Sequence, residues 1–227
     1  MSVMTDEVIL LSDPRLDRID VDECGHPLID LRRDARLRLD ARKADPAGAY
    51  AHVRSNVAAR LIQAQSLLPA RFRLLVIEGY RPPALQRFYF ERYVEQLRRA
   101  EPGWGLSELH AAASRYVSPP DIAPHSCGAA VDLTICTPEG LELDLGTAVN
   151  AGPEASDNAC YMSAANIQRD ARHHRSVLRA ALSGVGFVNY PTEWWHWSFG
   201  DRYWALMTGR STAMYGPIED LALASDG

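Results

Sequence analysis

An aspartate stands in the middle of an apolar run. Ala129-Ala130-Val131-Asp132-Leu133-Thr134-Ile135 reads as a strand with one acid inside it. Burying an isolated carboxylate is strongly unfavourable, so any fold that places this strand in its core must bring Asp132 a partner. Backbone N–H groups can serve, and so can a metal ion. Seven residues earlier, His125 lies in the loop Pro124-His125-Ser126-Cys127-Gly128. On this segment alone both readings stay open, with His125 either a ligand or a surface residue.

The rest of the pattern is helical with strands mixed in. Val53, Val57, Leu61, Ile62 and Leu68 recur at helical spacing and predict a helix over 50–68, ended by Pro69. Residues 72–77 read as a short buried strand, broken by Gly79 and Pro82-Pro83. Leu85, Phe88, Tyr89, Val94 and Leu97 give a helix over 84–99, and a second helical piece covers 106–116. After the strand at 129–135, residues 141–145 are expected to pair with it across a turn at 138–140. A helix is predicted over 164–182, closed by Gly184. Residues 185–190 and 194–199 read as two strands joined at Pro191-Thr192. The first 49 residues carry strand-like pieces at most. With no regular βαβ alternation, the expected class is α+β, one domain over residues 1–227.

Composition narrows the function. Hydrophobic residues make up 47% of the 227, enough for a sizeable core. The net charge of −5, with a pI of about 5.8, argues against a nucleic-acid partner, which calls for a basic surface. Arg32, Arg33, Arg36 and Arg38 alternate with acids and read as a solvated face. No apolar run approaches the roughly 20 residues of a membrane span, and Val8–Leu11 is too short for a signal peptide. Cys24, Cys127, Cys136 and Cys160 form no CxxC pair and are expected as reduced thiols in a cytoplasmic protein.

Two further segments can do chemistry. In Glu193-Trp194-Trp195-His196-Trp197, a carboxylate and an imidazole stand three apart among tryptophans. A zinc hydrolase needs neutral imidazole and carboxylate ligands, an open coordination position and a carboxylate to take a proton from water. The blander reading is an aromatic core strand with an incidental histidine. Residues i and i+3 of a strand face opposite sides, so Glu193 is expected in the turn rather than in the strand. In Glu78-Gly79-Tyr80-Arg81-Pro82-Pro83, Arg81 at a strand end is placed to hold an anion or an oxyanion, or else is a surface arginine. Serine and cysteine nucleophiles are poorly supported: there is no GxSxG, and neither Ser126 nor Cys127 beside His125 makes a triad.

Together the three segments resemble the zinc D-alanyl-D-alanine dipeptidases, the VanX-like branch of the zinc D,D-peptidases. That group carries an arginine before proline, then SxHxxGxAxD, then ExxH. Here the same order is Arg81-Pro82, His125 to Asp132, and Glu193 to His196, within a likeness covering about residues 28–203. The resemblance implies one zinc per chain held by His125, Asp132 and His196, with Glu193 as general base and Arg81 steadying the transition state. It also implies a small α+β fold with a central antiparallel sheet flanked by helices, and a dipeptide substrate.

The departures fall at positions the family uses for the substrate's amino end. The motif serine is Ala123, followed by Pro124. The family's Gly-(Ser/Thr)-x-Phe-Asp becomes Gly146-Thr147-Ala148-Val149-Asn150. The family's N-terminal Tyr-Ala-Thr-x-x-Asn-Phe falls on Asp34 to Asp40, where Asp34 is the candidate replacement carboxylate. Ala123, Asn150, Asp34 and Ser126 are therefore the candidate substrate-binding residues. The expectation is zinc hydrolysis retained with altered specificity. Its rivals are a biosynthetic tailoring enzyme acting on another amide and a zinc-bearing binding protein without turnover.

Overall fold

The computed structural model describes residues 8–219. The stretch ahead of Val8, where a targeting segment was not expected, lies outside the described residues. Four short strands come first: β1 (Asp20–Val21), β2 (Leu28–Asp30), β3 (Arg38–Leu39) and β4 (His52–Arg54). Then follow α1 (Ser55–Leu67), β5 (Arg73–Glu78), α2 (Pro83–Ala100), α3 (Leu106–Ala113) and β6 (Ala130–Cys136). The described residues end with α4 (Pro153–Ser156), α5 (Arg169–Gly184), β7 (Val188–Asn189), β8 (His196–Ser198), α6 (Arg202–Met207) and β9 (Thr212–Ala213).

The centre is a five-stranded sheet in the order β3-β5-β6-β8-β7. It is mixed rather than wholly antiparallel: β3 runs parallel to β5, and the other three pairings are antiparallel. A parallel neighbour requires a crossover, and the chain between Leu39 and Arg73 provides one through β4 and α1. Asp132 points to one face of β6. Val131 and Leu133 alternate with it, point to the other, and join the main core with Leu178 and Leu182 of α5. α5 packs on α1, β6 and β7. α2 and α3 share a separate small core of Phe90, Val94, Leu109 and Ala113.

Several predicted boundaries moved. The helix expected from residue 50 begins at Ser55, because His52–Arg54 pairs with β2 instead; the long-range pairing overrides the helical spacing of its apolar residues. The helix expected from 164 begins at Arg169, and Arg172 Nη1 bonds back to the carbonyls of Ala165 and Ile167 in the loop before it. Residues 141–145 make one bridge, Cys136 with Glu142, and accept or donate backbone bonds at Leu141 O from Thr137 N–H and at Leu143 N–H to Ile135 O, rather than forming a full strand. The arginines near the start answer acids two residues away: Arg15 bonds Asp13, Arg32 bonds Asp30, Arg36 bonds Asp34 and Arg42 bonds Asp40. These are local pairs on the surface, worth little individually.

Arg175 does more. It is buried on α5, and its Nε, Nη1 and Nη2 donate to the carbonyls of Leu145, Tyr161 and Ala159 at 2.6–2.7 Å. Burial pulls its pKa down to about 10, with Cys160 and Asp144 acting weakly the other way. One side chain thus fastens the loop from 145 to 161 to the helix. Arg175→Met strips partners from buried carbonyls and is expected to cost about 3 kcal/mol, a drop in Tm of about 6–12 °C in a chain of this size. Thermal unfolding by circular dichroism checks it; a fall under about 2 °C means that water replaces the guanidinium fully.

Candidate active site

The sheet register builds the site. Glu78, Asp132 and His196 are direct partners across β5, β6 and β8, so they form one transverse row. Directly opposed residues share a face. The row depends on a bulge: Val76 pairs with Leu133 and Glu78 with Asp132, leaving Ile77 as the extra residue. Without it Glu78 would turn to the other face, which is how a bulge re-aims a side chain beside a site.

His125 enters from a 3-10 turn over Pro124–Cys127. Its Nδ1 lies 2.7 Å from the Gly79 carbonyl. A carbonyl only accepts, so Nδ1 carries the proton and Nε2 presents a lone pair in the neutral ring. That Nε2 sits 3.2 Å from His196 Nδ1 and 3.3 Å from Asp132 Oδ1, and His196 Nδ1 is 3.1 Å from the same oxygen. Donor atoms bound tetrahedrally at about 2.0–2.1 Å from zinc stand about 3.3–3.4 Å apart. Three buried electron-rich atoms at this mutual spacing can hold one metal ion between them. Burial raises the Asp132 pKa, but the two imidazoles, when protonated, outweigh it and keep the carboxyl well below its ordinary range; a metal ion would take the place of those protons beside the same anionic oxygen.

Glu193 lies in the turn before β8, as its spacing from His196 required. Its N–H donates to Tyr190 O, its carbonyl accepts from the His196 N–H, and Asn189 Nδ2 bonds the carbonyls of both Glu193 and His196. This places Oε2 4.0 Å from His196 Nδ1. The side chain opens onto the cavity, yet burial pushes its pKa up to about 7, with His196 pulling down and Asp132 pushing up. A bound cation would lower it again.

Arg81 is tied to both sides of the motif. Its N–H donates to His125 O, and its own carbonyl accepts from Ser126 Oγ. Its guanidinium grips Glu78 through Nε and Nη2, each at 2.7 Å, and reaches Gln86 Oε1 through Nη1. Burial raises the Glu78 carboxyl, but Arg81 outweighs it and holds the pKa below normal.

A cavity of about 310 Å³ opens over these groups, and Arg81, Ala123, His125, Asp132, Asn150, Glu193 and His196 all line it. The structure does not bring the other two candidates there. Ser126 is fully buried with its hydroxyl spent on Arg81. Asp34 does not line the cavity, and Arg36 takes its carboxylate at 2.9 and 2.6 Å through Nε and Nη2. Asn150 is exposed with a φ of 64°. Sequence reasoning missed Lys43, Gln86 and the tyrosines Tyr89, Tyr93, Tyr116 and Tyr190, all lining residues. Only Gln86 left a signal: a polar residue in phase with buried Phe90 and Val94 of α2.

The family model for D-Ala-D-Ala dipeptidases matches residues 30–211. The D-alanyl-D-alanine dipeptidase of Synechocystis is 27% identical over 238 residues, covering 88% of this chain and 95% of that protein. The protein of the same name from Streptomyces coelicolor is 32% identical over 139 residues, 58% of this chain and 64% of that one. Among solved structures, the vancomycin-resistance D,D-pentapeptidase VanY with Zn(II) aligns at a TM-score of 0.42 and 18% identity, covering 87% of this chain and 96% of that one. The LD-carboxypeptidase LdcB aligns at 0.45 and 16%, covering 84% and 76%.

The Gly79 carbonyl orients His125, and a Cβ on Gly79 would meet His52 O at 2.4 Å and Val53 Cγ1 at 2.8 Å. Gly79→Ala is therefore expected to push this strand end away from His125. Losing such an outer-shell partner typically lowers metal affinity about 10–100-fold. Competition with a chromophoric chelator measures this; unchanged affinity with an intact fold would show that the carbonyl does not set the ring.

Proposed function

The chain belongs to the D-Ala-D-Ala dipeptidase family, and from that premise we propose that it is a single-zinc dipeptidase with His125, Asp132 and His196 as ligands, Glu193 as general base and Arg81 at the oxyanion. The observation that carries this reading is the convergence of three buried donor atoms within 3.1–3.3 Å of one another, with the Glu193 carboxylate 4.0 Å from one of them. When bound, zinc supplies Lewis-acid polarisation and a lowered pKa for water. The rest falls to the chain's own residues. Glu193 takes the proton from water and returns it to the leaving amine. Arg81 uses three of its five N–H donors on Glu78 and Gln86 and has the others for the developing oxyanion. Trp195 and Tyr190 wall the cavity and limit water.

The cavity sits at the low end of the roughly 300–1,000 Å³ range of small-ligand sites, which supports a dipeptide. A binding protein without turnover gains nothing from a proton-accepting Glu193. No helix of the described residues is long and apolar enough to cross a membrane. Four unpaired cysteines support a reducing, cytoplasmic setting.

The amino end of the substrate is the altered part. Among the described residues lining the cavity, Asp132 and Glu193 are the only carboxylates, and both have other work. Ala123 offers no hydroxyl, Asn150 no charge, and Asp34 is elsewhere. A free α-ammonium therefore meets no spare counter-charge, and an acylated or differently placed amino end fits better.

One zinc per chain is expected by elemental analysis of protein purified without chelator, with His125→Ala, Asp132→Ala and His196→Ala each lowering occupancy. Glu193→Gln should keep the metal and lose about 10²–10⁴ in kcat; near-native turnover in that variant removes Glu193 from the mechanism. Specificity is read from kcat/KM for D-Ala-D-Ala against its N-acetyl form and against L,L, L,D and D,L dipeptides. D-Ala-D-Ala is expected not to lead. A lead of tenfold or more, about 1.4 kcal/mol in transition-state binding, makes the altered-specificity idea wrong.

A further inference from the structure

Lys43 is the one lining residue of the cavity whose charge nothing in the proposed chemistry uses. It stands on a turn fixed at both ends. The Asp40 N–H bonds Val76 O on β5, and the Asp45 carboxylate accepts from the N–H groups of Ala47, Ala49 and Tyr50. The ammonium is held toward Glu78 at 3.7 Å, too long for a hydrogen bond, and lies 5.6 Å from the centre of the Tyr89 ring. That carboxylate is already taken in bidentate fashion by Arg81, whose guanidinium stands 5.3 Å from the same ring. Two cations thus share one buried anion. One positive charge is left over at the cavity wall, on an ammonium with three donors and no hydrogen-bond acceptor among the described residues.

We infer that Lys43 is the specificity-determining residue that anchors the free C-terminal carboxylate of the substrate. The inference rests on the dipeptidase reading above and deepens it. In a dipeptide only three bonds separate the scissile carbonyl carbon from the carboxylate carbon. An anion anchored by Lys43 therefore keeps the scissile carbonyl near Arg81, which shares Glu78 and Tyr89 with Lys43. With Asp132 and Glu193 committed to the metal and the proton in that reading, the part of the lining at Lys43 favours the negative end of a ligand. The shared Glu78 holds the two cations together against their mutual repulsion.

The test is binding to the zinc-loaded Glu193→Gln protein, so that it does not depend on turnover. Calorimetry compares D-Ala-D-Ala and N-acetyl-D-Ala-D-Ala with the C-terminal amides of both. With Lys43 present, the free acids are expected to bind about 10- to 100-fold tighter than the amides, the range of a hydrogen bond to a charged group. Lys43→Met should abolish that preference while leaving amide binding within about threefold, and Lys43→Arg should restore part of it. If Lys43→Met lowers Tm, Lys43→Gln carries the same comparison. Equal affinity for acid and amide, no binding of any acid, or a preference that survives the loss of Lys43 overturns the inference. Hydrolysis by the unsubstituted protein is scored separately: dipeptide turnover without a Lys43-dependent acid preference sinks Lys43 alone, whereas acid-selective binding without turnover sinks the dipeptidase reading.

Discussion

The buried Asp132 carboxylate is the constraint around which this structure is organised. It stands in a strand that is buried along its whole length, between Glu78 on one neighbour and His196 on the other. An anion in that position is tolerable only with compensating positive charge or donors. A cation held between it and the two imidazoles would answer it, as would protonated imidazoles. Arg81 answers Glu78 one strand away, so that this second acid does not add an uncompensated charge. Both acids are held below their ordinary pKa by those partners, against the upward push of burial.

The supporting structure follows from fixing that row. The bulge at Ile77 turns Glu78 to the correct face, and the Gly79 carbonyl after it fixes the His125 tautomer. Gly128 closes the histidine turn at a φ of 64°, where a Cβ would come within 2.4 Å of Leu28 Cδ2. Arg54, itself buried, holds the same turn from behind by donating to the Cys127 carbonyl. On the far side, Asn189 ties the turn that carries Glu193 to the strand that carries His196. The His125 ring and the turn that carries Glu193 are thus set by hydrogen bonds to backbone carbonyls. Such contacts keep ligands within the small tolerances that metal sites demand.

The cavity lining combines charged groups with neutral ones. The floor is charged and tightly bonded. Ala123 and Asn150 bring no charge to the lining, while Lys43 and Arg81 share Glu78 and leave one positive charge beside it. A site with that asymmetry orients a ligand by its negative end. The tyrosines along α2 and beside α3, Tyr89, Tyr93 and Tyr116, add apolar bodies with polar tips to the lining.

The sequence by itself determined the elements whose signal is local. Strands at 73–78 and 130–136 and helices at 83–100 and 106–113 follow from apolar runs, prolines and glycines, with shifts of a few residues at most. It also showed the residue types a donor set could be drawn from, an acid in an apolar strand and two histidines beside turn residues, which only the family resemblance joined and the fold brings together. Tertiary structure alone decided where long-range pairing beats local preference: β4 taken from the expected first helix, and the parallel β3 edge. It decided, too, that Asp34 spends its carboxylate on Arg36 while Lys43, nine residues on, reaches the cavity. Both lie in one irregular, charged stretch with no periodicity to separate them. Which side chain faces the site there is set by the anchoring of a turn to β5, through the Asp40 N–H and Val76 O, and that contact spans too much chain to leave a mark on neighbouring residues.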